Sequence, residues 1–167
     1  MYDPKQVQEA MQAMLHGDPD LRARAIQALG EAAYAPAVPH LAKLVRESDP
    51  GTRYLAASAL GRIGDEAESA VPDLLLALRA DDIFLRAAVT GALIKIGYPA
   101  VPGLIRALFD QKAAVRRASA KALGKIGNRR AVNALKVAIN DADAGVRQFA
   151  QEALNRLAEH GKDDTTA

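Results

Sequence analysis

One frame of residues recurs five times along this chain, and that recurrence limits its fold more than any other feature. The copies are Leu21–Ala33 (LRARAIQALGEAA), Thr52–Gly64 (TRYLAASALGRIG), Leu85–Gly97 (LRAAVTGALIKIG), Val115–Gly127 (VRRASAKALGKIG) and Val146–Ala158 (VRQFAQEALNRLA). Each carries an anchoring arginine, an Ala-Leu pair six and seven positions later, and a closing Gly or Ala. The anchors Arg22, Arg53, Arg86, Arg116 and Arg147 stand 31, 33, 30 and 31 residues apart. A period of this length marks stacked supersecondary units, each burying its apolar face only against its neighbours. The expectation is an all-α, right-handed α-solenoid of about five helical-hairpin repeats and about ten helices, with no strands.

Boundaries follow from local signals. Asp3 with Pro4 starts a helix that ends before Gly17, and residues 1–17 read as an N-terminal capping helix with Val7, Met11, Met14 and Leu15 as its apolar stripe. Repeats are placed at about 18–48, 49–80, 81–110, 111–141 and 142–159, in a single solenoid spanning 1–160. An acid four residues before the anchor opens the first helix of most repeats: Asp18, Asp49, Asp82 and Asp143, with Lys112 the exception. Leu21, Ala25, Ala28, Leu29 and Ala32 face the neighbouring layer by their helical spacing. Gly64, Gly97 and Gly127 are expected to end first helices in the left-handed conformation. The segments Ala37-Val38-Pro39, Ala70-Val71-Pro72 and Ala100-Val101-Pro102, and Ala131-Val132-Asn133 without the proline, open the second helices. Residues 161–167 read as a disordered polar tail.

Composition removes several classes of function. Half the residues are apolar but only 4% are aromatic, so Ala and Leu do most of the packing, which suits a large cofactor pocket poorly. With no cysteine, the chain has no disulfide, no cysteine-ligated zinc and no thiol nucleophile. Residues 1–12 lack the basic and apolar regions of a signal peptide, and no apolar run reaches the roughly 18 residues of a membrane span. The expectation is a cytoplasmic protein with no membrane partner.

No catalytic constellation emerges. His16, His40 and His160 stand apart from one another and from carboxylates at ligand spacing, so no metal or other cofactor is expected; His40 reads as a surface residue of a second helix. Asp65, Glu66 and Glu68 cluster in one link but lack calcium-loop spacing. No phosphate-binding glycine loop and no nucleophile–base pair is recognisable.

Charge and exposed columns carry the remaining signal. Residues 1–70 hold ten acids and seven bases, whereas 112–140 hold eight bases and no acid. Its basic patch (Arg116, Arg117, Lys121, Lys125, Arg129, Arg130 and Lys136, beside Lys112) would attract an acidic protein or a phosphate-bearing partner. Aligned second helices present variable columns, from which Lys43, Leu76, Arg79, Arg106, Phe109 and Val137 are the candidate partner-binding residues: an apolar patch ringed by cations on the concave side.

DPDLRARAIQALG, ALGRIGDEA, the Ala-Val-Pro links and ALGKIG resemble HEAT repeats over about residues 18–158, and are most similar to the short bacterial type found in phycobilin lyases. The resemblance implies a structural ladder in which Asp18/Arg22, Asp49/Arg53, Asp82/Arg86 and Asp143/Arg147 tie layers together, broken at Lys112. It is also similar to designed HEAT-like libraries, although the uneven period, Phe84 and Ile94 in place of Gly read as a natural chain. The His-Glu pairs of the family's di-iron hydroxylase are absent. The leading expectation is a non-catalytic scaffold or adaptor for a protein partner of acidic character. The resemblance implies one alternative, a bilin lyase subunit or phycobilisome-associated factor acting on phycobiliproteins, which is the form an enzymatic role would take. Nucleic-acid binding ranks below both, because phosphate contacts without stacking aromatics give only salt-sensitive, non-specific affinity.

Overall fold

Helix starts are set by aspartates whose side chains occupy otherwise unpaired amides. The computed structural model describes residues 3–163, with side chains through Glu159. Its elements are α1 (Pro4–His16), α2 (Pro19–Glu31), α3 (Val38–Glu47), α4 (Pro50–Ile63), α5 (Val71–Ala77), α6 (Ile83–Ile96), α7 (Val101–Ala107), α8 (Ala113–Ile126), α9 (Val132–Ala138) and α10 (Ala144–Asp163), all helical as expected. Asp18 accepts from the Leu21 amide at 2.9 Å, Asp49 from Thr52 at 3.0 Å, Asp82 from Phe84 at 2.8 Å and Asp143 from Val146 at 3.0 Å. Such a cap contributes about 1 kcal/mol. At Lys112 no side chain caps α8; instead Asp110 accepts from the Lys112 amide at 2.8 Å.

Between paired helices the chain makes short 3-10 turns, at Ala35–Ala37, Gly64–Ala70, Tyr98–Ala100 and Arg129–Ala131. The alanine closing each turn (Ala37, Ala70, Ala100, Ala131) has no exposed surface, so a larger side chain there would collide with the core. Gly127 takes the expected left-handed cap, φ 75° and ψ 21°. Gly64 and Gly97 do not: at φ 79°, ψ −138° and φ 75°, ψ −130° they enter a region closed to side chains, which lets the chain turn straight into the 3-10 link. Ala33 holds the same place in the first repeat and is forced to φ 48°.

The odd-and-even order gives two layers. α2, α4, α6, α8 and α10 pack side by side in one; α3, α5, α7 and α9 form the other, and α1 packs on α2 as α3 packs on α4. Leu29, Leu60, Leu93 and Leu123 from the Ala-Leu pairs are completely buried, each contributing about 2 kcal/mol of hydrophobic stabilisation. Leu21, expected to face a neighbour, is 45% exposed, and Leu15 of the α1 stripe is also exposed.

Backbones in the first-helix layer touch through glycine. A Cβ added to Gly30 would lie 2.8 Å from the Ala59 Cα, one on Gly61 2.9 Å from the Ala92 Cα, and one on Gly124 2.7 Å from the Ala153 Cβ. The glycine after each Leu thus seats the alanine of the next Ala-Leu pair. At the α6–α8 step the same column carries Ile94, and α6 packs less extensively on α8 than on α4.

The arginine ladder differs from the one the resemblance implies. Each anchor reaches back to carbonyls at the end of the preceding helix, not to its own repeat Asp. Arg22 donates to Met14 O (3.2 Å), Arg53 to Val45 O (2.7 Å), Arg86 to Ala80 O (2.6 Å) and Arg147 to Asp141 O (2.8 Å). A cation at a helix C-terminus satisfies lone carbonyls and opposes the helix dipole. The layers are tied by other pairs, roughly a repeat apart: Arg62–Glu31, Arg46–Asp73, Arg79–Asp110, Lys112–Asp81, Arg117–Asp143 and Arg116–Asp141. α10 continues to Asp163, past Glu159, while 164–167 of the expected tail lie outside the described residues.

Candidate functional site

The outward side of the second helices holds all six partner-binding candidates, and all six are exposed. Leu76 on α5, Phe109 just after α7 and Val137 on α9 keep 60%, 62% and 58% of their surface open to solvent. Leu76 and Val137 occupy the same position of their repeats, and Phe109 lies three residues further along its own. They are exposed because their inward neighbours, Leu74 and Ala77, Leu104 and Leu108, Leu135 and Ala138, already fill the core.

The cations around them differ in availability. Arg79 pairs with Asp110, which joins the ends of α5 and α7 and offsets the charge beside Phe109. Lys43 has a loose contact of 3.8 Å with Glu47, one turn along α3. Arg106 makes no ion pair among the described residues and is the freest cation near Leu76 and Phe109. His40 and Lys43 also line a cleft of about 320 Å³ with Leu15, Arg22, Leu44 and Glu47, where α1 meets α3. The sequence reading missed this cleft because it forms between the first, irregular helix and a regular repeat.

The basic residues differ in how far they are engaged. Arg116 is partly buried and grips both oxygens of Asp141 from Nε and Nη2 at 2.7 Å each, while Nη1 donates to Asp110 O at 2.8 Å. This hydrogen bonding holds the Asp141 carboxyl below its usual range and raises the Arg116 guanidinium further. Arg116 is therefore a structural tie, a correction to its place in the expected patch. Lys112 likewise bonds Asp81 at 3.0 Å and Arg79 O at 2.8 Å. Arg117, Lys121 and Lys125 lie along the outer side of α8, Arg129 and Arg130 in the following turn, and Lys136 on α9 in the other layer. Arg117, Lys121 and Lys125 stand one turn apart on α8, and phosphate contacts from such a stripe would give only salt-sensitive, non-specific affinity.

Asp65, Glu66 and Glu68 share the 3-10 turn after α4, and no cluster of three potential metal ligands occurs among the described residues. No single helix among these residues is long and apolar enough to cross a membrane.

Comparison with known proteins agrees with this architecture. A phycocyanin operon protein, Z, of Pseudanabaena tenuis, itself uncharacterized, is 30% identical over 93% of this chain and 82% of its own length. The CpcE–CpcF complex of phycocyanin lyase from Nostoc superposes with a TM-score of 0.63 at 24% identity, over 92% of this chain and 65% of that one. An archaeal HEAT-like repeat protein from Thermococcus onnurineus gives a TM-score of 0.66 at 13% identity, over 94% and 72%. The HEAT-repeat family profile matches residues 7–94 and 71–155, which together span nearly the whole chain. The chain belongs to the HEAT-repeat family.

Proposed function

We propose that this protein is a non-catalytic scaffold that binds an acidic protein partner across its second-helix face. The observation that carries the reading is the exposure of Leu76, Phe109 and Val137 on the second-helix side of successive repeats, with Arg106, Lys43 and the Arg79–Asp110 pair on the same side. Apolar anchors inside a cationic rim fit a partner whose own rim is acidic. Residues 1–160 act as one binding body in this reading, with α1 closing its N-terminal end.

The relative's phycocyanin operon supports a narrower reading: the partner is a phycobiliprotein, and the complex serves attachment or removal of its bilin. Purified phycocyanin titrated with the intact chain by calorimetry tests both. Binding that weakens at least tenfold with Leu76→Asp and Phe109→Asp is the expected result. An unchanged visible spectrum of the bilin keeps the plain scaffold, whereas a shifted or bleached band favours the bilin-handling role. Equal affinity of the double variant would sink the assignment of the face.

A further inference from the structure

The opposite, first-helix face carries a trough that no core requirement explains. It lies between α6 and α8 with a volume of about 360 Å³, and α10 supplies Phe149 as an end wall. Its floor is Ala87, Gly91, Ile94 and Ala118. The cause is visible in the glycine column. Where Gly30, Gly61 and Gly124 let neighbouring backbones meet, the α6 column carries a branched Ile94, and α6 packs less extensively on α8 than on α4.

Gly91 sharpens the point. A Cβ built there would meet no atom within 4 Å, so no close approach requires glycine. In mid-helix it costs about 0.5–1 kcal/mol relative to alanine. This fold therefore keeps an open floor at some expense in stability.

The walls are cationic. Arg86, Arg117 and Lys121 line the trough and no carboxylate does. Arg86 and Arg117 are partly engaged, with Ala80 O and with Asp143 at 3.3 Å. Lys121 has no ion pair among the described residues; its ammonium sits over the Phe149 ring, 5.9 Å from the centroid. On α8 the lining residues Ala114, Arg117, Ala118 and Lys121 follow one helical stripe, and on α6 the stripe runs from Ile83 to Ile94. At 1.5 Å per residue that is a channel of about 16 Å, three turns of helix. Ile83, at the N-terminal end of that stripe, stands 63% exposed.

We infer that this trough is a second docking site, taking an acidic amphipathic helix of a protein partner: apolar side chains on the Gly91–Ile94 floor, carboxylates against Lys121 and Arg117. Laying an apolar stripe into a groove is a common mode of helix recognition, and here the charge of the walls selects the sign of the ligand. The site is independent of the second-helix face, so one solenoid bridges two partners.

The test uses the full chain and a fluorescein-labelled twelve-residue peptide of Leu and Glu, with Leu at i, i+3, i+4 and i+7, beside its Lys-for-Glu counterpart. Anisotropy should show saturable binding of the Glu peptide and at least tenfold weaker binding of the Lys peptide. Amide shifts in a 15N spectrum should centre on Ala87, Gly91 and Ala118. Gly91→Leu, which fills the floor, and Lys121→Glu, which changes only an exposed side chain, should each weaken the Glu peptide at least fivefold. Leu76→Asp with Phe109→Asp should leave it unchanged, which separates this site from the scaffold reading. No saturable binding, equal affinity for both peptides, or insensitivity to Lys121→Glu would overturn the inference.

Discussion

Two glycines in equivalent helices have opposite reasons to be glycine, and substitution separates them. Gly61 lies against the Ala92 backbone, so Gly61→Ala should destabilise by about 1–2 kcal/mol through overpacking, even after its gain in helix propensity. Gly91 faces open space, so Gly91→Ala should stabilise by about 0.5–1 kcal/mol. Thermal melts of the two variants check the signs, and equal signs would refute the close-contact account. Ala33 is the reciprocal case. Its φ of 48° suits glycine, and Ala33→Gly should raise stability by about 0.5 kcal/mol, the relief of strain being partly offset by a more flexible unfolded chain.

Between elements, the strongest polar tie is the fork of Arg116 on Asp141, which also accepts from the Asp143 amide at 2.8 Å. Asp141→Asn leaves a partly buried guanidinium without its counter-charge and should cost about 1.5–3 kcal/mol at neutral pH. The pH dependence follows in sign. The folded carboxyl is held below its ordinary value, so its contribution is complete above about pH 4, the unfolded value, and fades as pH falls through the folded one. Denaturation curves of wild type and variant should therefore converge at acid pH; a constant gap would show that the pair is not responsible. This tie was illegible in the sequence, whereas the helix starts were plain. Asp18, Asp49 and Asp82 cap amides two or three residues away, a distance fixed by local geometry. Arg116 and Asp141 meet across 25 residues, and which acid falls opposite which base depends on how one repeat rotates over the next. For the same reason the six exposed candidates could be read from repeat alignment, while the trough could not. Its sign was a single departure, Ile94, whose effect is a space and not a contact.

At the scale of the molecule, stability in a stacked array is a sum of repeat terms and nearest-neighbour interfaces, so a wedged interface divides the cooperative unit. The α6–α8 step is that interface. On its N-terminal side, Gly30 and Gly61 lock α2, α4 and α6 together; on its C-terminal side, Gly124 locks α8 to α10. Across the step remain a reduced packing of α6 on α8, the packing of α7 on α8, the Lys112 bonds to Asp81 and Arg79 O, and the Arg116 bonds to Asp110 and Gln111. The exposed Lys112–Asp81 pair is worth about 0–1 kcal/mol, and polar ties of this kind do not replace a close-packed seam. The expected result is partial unfolding in which α8, α9 and α10 open together before α2 to α6. Native-state amide exchange in low denaturant should then show a common opening energy for α8–α10 that is about 1–2 kcal/mol below that of α4 and α6. Gly124→Ala should lower only the first value, and Gly61→Ala should act chiefly on the second. If a helix docks in the trough, it bridges the two units, and its binding should bring the two opening energies together. Amides that exchange throughout at one global energy would mean that Ile94 opens the surface without weakening the stack.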